Sequence, residues 1–367
     1  MPVNKKYLSP EMKMMLSACF QSNAEASDIG IDDKYLRNLI RYHGIRPQFL
    51  DFLHKSKLQT GFQDALVKEC QQTAIINLLS VKELGKLSDL LRANGVVCFA
   101  YKGSVWADWL YGNVGKREFG DIDLLIERKS LDTALKVMAE QGYHPDAYRN
   151  YLLQTPDRTE SFFRTDYHVP LENTSVATSS MVEAHWQVAY PRLKFDFPEE
   201  EWAQFQSDYQ LHGNTVNAFQ NEYQFLLLLV HHGGKEQWSR IKYIADFAAY
   251  MIRHGSQTDW KLVERLAREK GIYTLLTKSL DLLKSLGIEW NSKWPESKDV
   301  VDINPYLKLW LAMPPQAENS TWPYFVHGLT VHDGLKHKSK VLFGHLAYFL
   351  EWRLLYDKMR WYSNNPS

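Results

Sequence analysis

Hydrophobic and polar positions change their rhythm twice along the chain. Up to about residue 95, apolar residues recur at helical spacing. A long run from Phe62 to Asn94 puts Leu84, Leu87 and Leu91 on one stripe. Ser9-Pro10 supplies a helix start with proline at the first helical position, and Asn94-Gly95 supplies a stop. Val96 to Ala100 is a short continuous apolar run, the pattern of a buried strand. Gly103-Ser104 follows, then a helix from about Val105 to Tyr111. Asp121 to Ile126 predicts a second strand, and Leu131 to Gln141 a helix closed by Gly142. Ser161 to Val169 and Met181 to Val188 predict two more strands around a connection rich in Ser and Thr.

After Pro198 the spacing is helical almost to the end. Glu222 to His232, Ile241 to Arg253, Trp260 to Lys270 and Tyr273 to Leu286 are the segments, with Gly255, Gly271 and Gly287 where stops belong. A last, aromatic-rich helix runs from about Lys338 to Tyr362. In it Leu346, Phe349 and Leu350 recur at helical spacing near Trp352 and Tyr356, a pattern of packing. The fold class predicted is α+β, a small mixed sheet with flanking helices. The boundaries are a helical N-terminal region at 1–95, an α/β core at 96–198 and a helical C-terminal domain at 199–367.

Composition narrows the function classes. Lys+Arg and Asp+Glu tie at 43 each, so the basic excess of a protein devoted to long nucleic acids is missing. Cys19, Cys70 and Cys98 have no paired spacing and read as buried, reduced thiols. The N-terminal segment lacks the long apolar run of a signal peptide, and Val341 to Leu350 is too short to span a bilayer. A cytoplasmic protein without a membrane partner is expected.

The chemistry gathers in the middle third. A strand delivers the chain to Gly103-Ser104, where a helix begins at once. Free N–H groups at a helix start attract anions, and glycine lets a phosphate approach the backbone. Ser104 adds a hydroxyl and Lys102 a positive charge. In a strand, residues i and i+2 face one side, so Asp121 and Asp123 point together and Ile122, Leu124 and Ile126 point away. Two adjacent carboxylates repel unless a cation or proton sits between them, and Mg²⁺ suits such oxygens. Alternation also puts Glu183, His185 and Gln187 on one face of their strand, so Glu183 completes a carboxylate triad if the two strands are neighbours. Lys116 and Arg117 precede the Asp pair and could offset phosphate charge. In the helical region His231-His232-Gly-Gly-Lys235, Arg240 and Asp246 follow, where Lys235 or Arg240 could close over a nucleotide.

Tyr101-Lys-Gly-Ser, Leu110-Tyr-Gly, Arg117, Gly120-Asp-Ile-Asp-Leu-Leu and Glu183-Ala-His-Trp, in that order, resemble the DNA polymerase β-like nucleotidyltransferase superfamily. More narrowly, they resemble a bacterial branch of uncharacterised nucleotidyltransferases, over about residues 75–260. The resemblance implies that Gly103 and Ser104 hold a triphosphate. It also implies that Asp121 and Asp123 bind metal, with Glu183 as the third carboxylate. One departure is that 16 residues separate Ser104 from Asp121.

The implied reaction moves a nucleoside monophosphate from an NTP, expected to be ATP, to a hydroxyl of a small molecule or peptide. Mg²⁺ or Mn²⁺ would serve as metal, with Glu183 or His185 as proton acceptor. Two alternatives stand beside it: a catalytically inactive, nucleotide-binding regulatory module, and an enzyme that adenylylates a partner protein.

Overall fold

The computed structural model describes residues 8–20, 30–173, 181–288, 290, 301–313 and 321–364. At its centre five strands pair in the order β1 (Cys98–Ala100), β2 (Asp121–Ile126), β5 (Met181–His185), β4 (His168–Glu172) and β3 (His144–Pro145). β2 and β5 run parallel, and the other neighbours are antiparallel. The β2–β5 register sets Asp123 beside Glu183, so the neighbouring carboxylate strands expected from the alternation are adjacent.

Ile122, Leu124 and Ile126 fill the core on the other face. The Gln63–Ala93 helix packs along β1 and β2, and Leu84, Leu87 and Leu91 are all buried, as their spacing requires. The Pro10–Phe20 helix, the Gly103–Tyr111 helix and the Leu131–Glu140 helix also form where patterning placed them. The architecture is α+β with a small mixed sheet and many helices.

Three expectations fail. Ser161 to Val169 is not one strand, because Pro156–Thr165 is a helix and β4 begins only at His168. Pro156 at the first helical position with Asp157 beside it starts the helix, and Phe162 and Phe163 mimic a strand only because both are buried. Gln206–Leu211 (β6) and Asn214–Phe219 (β7) form a hairpin in a stretch expected to be helical. Its two-residue turn, His212-Gly213, has positive φ at both positions, the geometry that matches strand twist. Phe219 stacks on Phe99 at 4.8 Å and Asn217 donates to the Cys98 carbonyl, so the hairpin covers β1.

The last helix is two, Gly334–Leu350 and Trp352–Asn364, and its aromatic stripe does not pack. Leu346, Phe349, Leu350, Trp352 and Tyr356 are all exposed. Val341, Gly344 and His345 form the buried face instead. Gly271 and Gly287 end helices with positive φ, whereas Gly255 does not. The Ser/Thr-rich connection at 174–180 lies outside the described residues. The three cysteines are free and buried.

Candidate active site

β1 ends at Ala100, and the Tyr101 N–H still donates to the Asp123 carbonyl at 3.3 Å. The chain then reverses at Lys102 (φ +54°) and Gly103 (φ +40°) into the Gly103–Tyr111 helix. The glycine has a structural reason: a Cβ there would lie 3.0 Å from the Asp121 carbonyl oxygen, which is backbone and cannot yield. The helix has no side-chain N-cap, so its first N–H groups remain available beside Asp121. Ser104 sits in that first turn. The 16 intervening residues loop out through a short turn at Val114–Lys116. Asn77 from the long helix ties that turn down, donating to the Val114 and Arg117 carbonyls at 2.6 and 2.8 Å. The long gap therefore still returns Asp121 to Gly103.

Asp123 is almost fully buried. One of its oxygens, Oδ1, accepts from Lys102 Nζ at 2.7 Å and from His185 Nε2 at 3.0 Å. His185 Nε2 also lies 3.0 Å from Glu183 Oε2. Asp123, Glu183 and His185 thus bring a donor atom each within 4.8 Å of one another. Burial opposes ionisation of Asp123, but the Lys102 charge and the His185 hydrogen bond outweigh it and hold the carboxyl below its ordinary range. Glu183 is likewise drawn down to about 2 despite burial, by the His185 hydrogen bond and the Lys102 and Lys235 charges. Asp121 goes the other way. Burial and then the Asp123 and Glu183 charges push it up to about 6, and among the described residues its carboxylate forms no hydrogen bond or ion pair.

Lys235 comes to this site. Its charge acts on Glu183, while Glu236 at 3.0 Å holds its ammonium. Lys235 stands in a wide helical turn at Val230–Lys235. Gly234 has no side chain because Phe195 presses on the backbone, 2.5 Å from where a Cβ would stand. Arg117 does not reach the open face. It is buried, pairs through Nε with Asp246 Oδ2 at 2.9 Å, and directs NH1 toward the Gly103 carbonyl at 3.5 Å. Its charge is compensated from the helical half of the chain, because an Arg this deep cannot stay unpaired.

Asp246 also accepts from Tyr111 and from His232 Nε2, both at 2.9 Å. Burial keeps both histidines neutral, so His231 donates its Nδ1–H to His232 Nδ1 at 2.9 Å. His231 and His232 are therefore packed structural groups.

Two site residues escaped the sequence reading. His168 pairs across from His185 on β4, stacks on its ring at 5.0 Å, and is kept neutral by burial and by the His185 and Lys102 charges. Its signal was masked when residues 161–169 were read as a single strand. Lys242 carries a charge that acts on Asp121 and Asp246, and burial followed by Arg117 lowers its own pKa. Its spacing of four residues before Asp246 on one helix was the available signal.

The mixed sheet thus carries three carboxylates on two adjacent parallel strands, beside a glycine turn at a helix start. The chain belongs to the family described as uncharacterised nucleotidyltransferase, which matches residues 30–287. None of the curated proteins matches it. Two solved structures are similar in part. One is the crystal structure of an antigenic nucleotidyltransferase-like protein from Paracoccidioides brasiliensis, 15% identical with a TM-score of 0.32, covering 58% of this chain and 94% of that one. The other is the solution structure of the antibiotic-resistance factor ANT(2'')-Ia, 13% identical with a TM-score of 0.35, covering 57% of this chain and 96% of that one. Similarity at this level carries nothing about substrate.

Proposed function

We propose that the protein transfers a nucleoside monophosphate from an NTP, ATP first among them, to a hydroxyl of a small molecule or peptide. The observation that carries this reading is the β2–β5 register, which sets Asp123 beside Glu183 with Asp121 two residues away at the Gly103 turn.

Asp123, Glu183 and His185 bring donor atoms close enough to share a divalent ion, and Asp121 stands beside that group as a further carboxylate. Asp121 is ionisable and unpaired, and Asp123 has one oxygen held by Lys102 and His185, leaving the other directed toward Gly103. Asp121, Asp123 and Glu183 would hold Mg²⁺ or Mn²⁺, which supplies charge neutralisation for the phosphates. The N–H groups of the first helical turn and the Ser104 hydroxyl bind phosphate oxygens. Lys235 adds positive charge from the helical side, and Arg117 supports the Gly103 carbonyl from behind. The acceptor oxygen attacks the α-phosphorus, the bond to the leaving pyrophosphate breaks, and the hydroxyl proton passes to Glu183. His185 is a poor acceptor because its Nε2 already donates to the carboxylates. A carboxylate as acidic as Glu183 is a weak base, so positioning and charge neutralisation supply most of the rate.

Balanced charge over the whole chain favours an acceptor other than a long nucleic acid. The Lys102–Asp123 ion pair supports a second reading, a nucleotide-binding regulatory module in which the lysine stands as the permanent counterion.

Incubation with each NTP, Mg²⁺ or Mn²⁺ and a metabolite or protein extract separates the readings. Pyrophosphate release with label on a small molecule is expected; label on a protein identifies an adenylylating enzyme. Tight nucleotide binding without pyrophosphate under any condition overturns the transferase reading in favour of the module.

A further inference from the structure

The two C-terminal helices lie outside the stretch that matches the family, and they are apolar on both sides. The inner side is explained. Val341, Gly344 and His345 pack inward, and Gly344 lets the helix press on the chain at Arg192, whose carbonyl would be 2.9 Å from a Cβ. Among the described residues the outer side packs against nothing. Leu342, Phe343, Leu346 and Phe349 line the first helix, with Leu335 at its start 87% exposed and Leu350 at its end 77% exposed. Trp352, Tyr356 and Met359 continue the stripe on the second helix. An exposed apolar stripe of this length marks a surface that meets a partner.

Charge says what that partner is. The segment 334–364 holds six Lys and Arg against two acids, Glu351 and Asp357. Both acids turn inward, to Arg164 and Arg158. Among the described residues, Lys336, Lys338, Arg353, Lys358 and Arg360 form no ion pair, and the first and last three are exposed. The outer side is therefore a cationic, aromatic and aliphatic surface.

We propose that this helix pair is a peripheral docking surface for an anionic lipid bilayer, with the apolar stripe at the acyl boundary and the basic side chains among the headgroups. A second copy of the chain is the poorer occupant, since a two-fold contact sets the same basic residues against one another. A single-stranded nucleic acid would use the rings for stacking but gains little from the leucines and Met359. No helix among the described residues is long and apolar enough to cross a membrane, so the contact lies along the surface. The proposal departs from the sequence expectation of no membrane partner, which rested on the lack of a spanning segment. This inference does not depend on the catalytic reading.

The test is flotation of the full chain with phosphatidylcholine vesicles, with and without roughly one-third phosphatidylglycerol, at low and high salt. Binding to the anionic vesicles, weaker at high salt, is expected. The triple variant Phe349→Ser, Leu350→Ser, Trp352→Ser should bind roughly 10-fold more weakly or worse, as loss of several buried apolar groups demands. The pair Lys358→Glu, Arg360→Glu should lose the preference for anionic vesicles, and it reads the same surface should the triple variant unfold. Absence of binding to either vesicle overturns the proposal. So does a lipid-free dimer that the triple variant dissolves, or binding of single-stranded nucleic acid in place of vesicles.

Discussion

Arg117 Nε and Asp246 Oδ2 lie 2.9 Å apart, with both side chains nearly sealed from solvent. The pair ties the loop before β2 to the Ile241–Arg253 helix, and through the Gly103 carbonyl it braces the turn that faces Asp121. Burial works against the Asp246 carboxylate, but Arg117 and His232 outweigh it and keep it ionised.

Breaking that pair from one side should be costly. Asp246→Asn or Arg117→Met leaves a buried charge without its partner, and such losses run to about 3–5 kcal/mol. Chemical denaturation of each variant reads this. The double variant Arg117→Met, Asp246→Leu should recover part of the loss, because it removes both charges. Single variants within about 0.5 kcal/mol of the parent would show that the pair is not a structural tie.

The two aspartates should separate activity from stability. Asp121→Asn relieves repulsion at an unpaired carboxylate, so the melting temperature holds or rises while pyrophosphate release falls at least ~10²-fold. Asp123→Asn also strips Lys102 of its partner, so activity and stability both fall. Equal melting temperatures for the two variants would contradict the ion-pair geometry.

Asp121 also predicts a pH dependence. Its folded pKa, about 6, lies above the ordinary 3.8, so the folded state keeps a proton that the unfolded chain has lost. Stability from this group is intact at low pH and declines as pH rises between about 4 and 6, by at most about 3 kcal/mol. Asp123 and Glu183, held low, act in the opposite sense and lose stability as the medium acidifies through their folded pKa values. The Lys102 and Lys242 charges also act on Asp121 and draw its pKa down against the carboxylates. The difference between parent and Asp121→Asn isolates the first contribution, and it should widen upward from about pH 4 and level off above pH 6–7. A flat difference would remove Asp121 from the crowded carboxylate cluster.

Gly103→Ala meets two obstacles, the positive φ and the Asp121 carbonyl 3.0 Å from the new Cβ. A loss of about 1–3 kcal/mol is expected, with weaker nucleotide binding because the turn shifts. Calorimetric titration with a non-hydrolysable NTP and a thermal melt check both. Normal values on each count would mean that the turn tolerates a side chain and does not position the phosphates.

Periodicity alone revealed much of this. The Leu84, Leu87 and Leu91 stripe, the alternation around Asp121 and Asp123, and the Gly-Ser helix start are local patterns, set by backbone geometry within a few residues. The hairpin at 206–219 was missed because its strands are polar on one side and its signal is a single His-Gly turn. The 156–165 helix was missed because two buried phenylalanines outweighed a proline start.

What the sequence determined by itself was the list of chemical groups and the local element that carries most of them: Lys102, Gly103 and Ser104 at one helix start, Asp121 and Asp123 on one strand face, Glu183 and His185 on another. Only the tertiary structure decided which groups meet. The parallel β2–β5 register put Glu183 beside Asp123, burial turned Arg117 from a free cation into the partner of Asp246, and the outer stripe of the last helices stayed uncovered. The physical reason is distance along the chain. Partners such as Asp123 and Glu183, or Arg117 and Asp246, are separated by tens of residues to more than a hundred, and their pairing is fixed by sheet register and by the cost of burying an unpaired charge. Neither leaves a local repeat in the sequence.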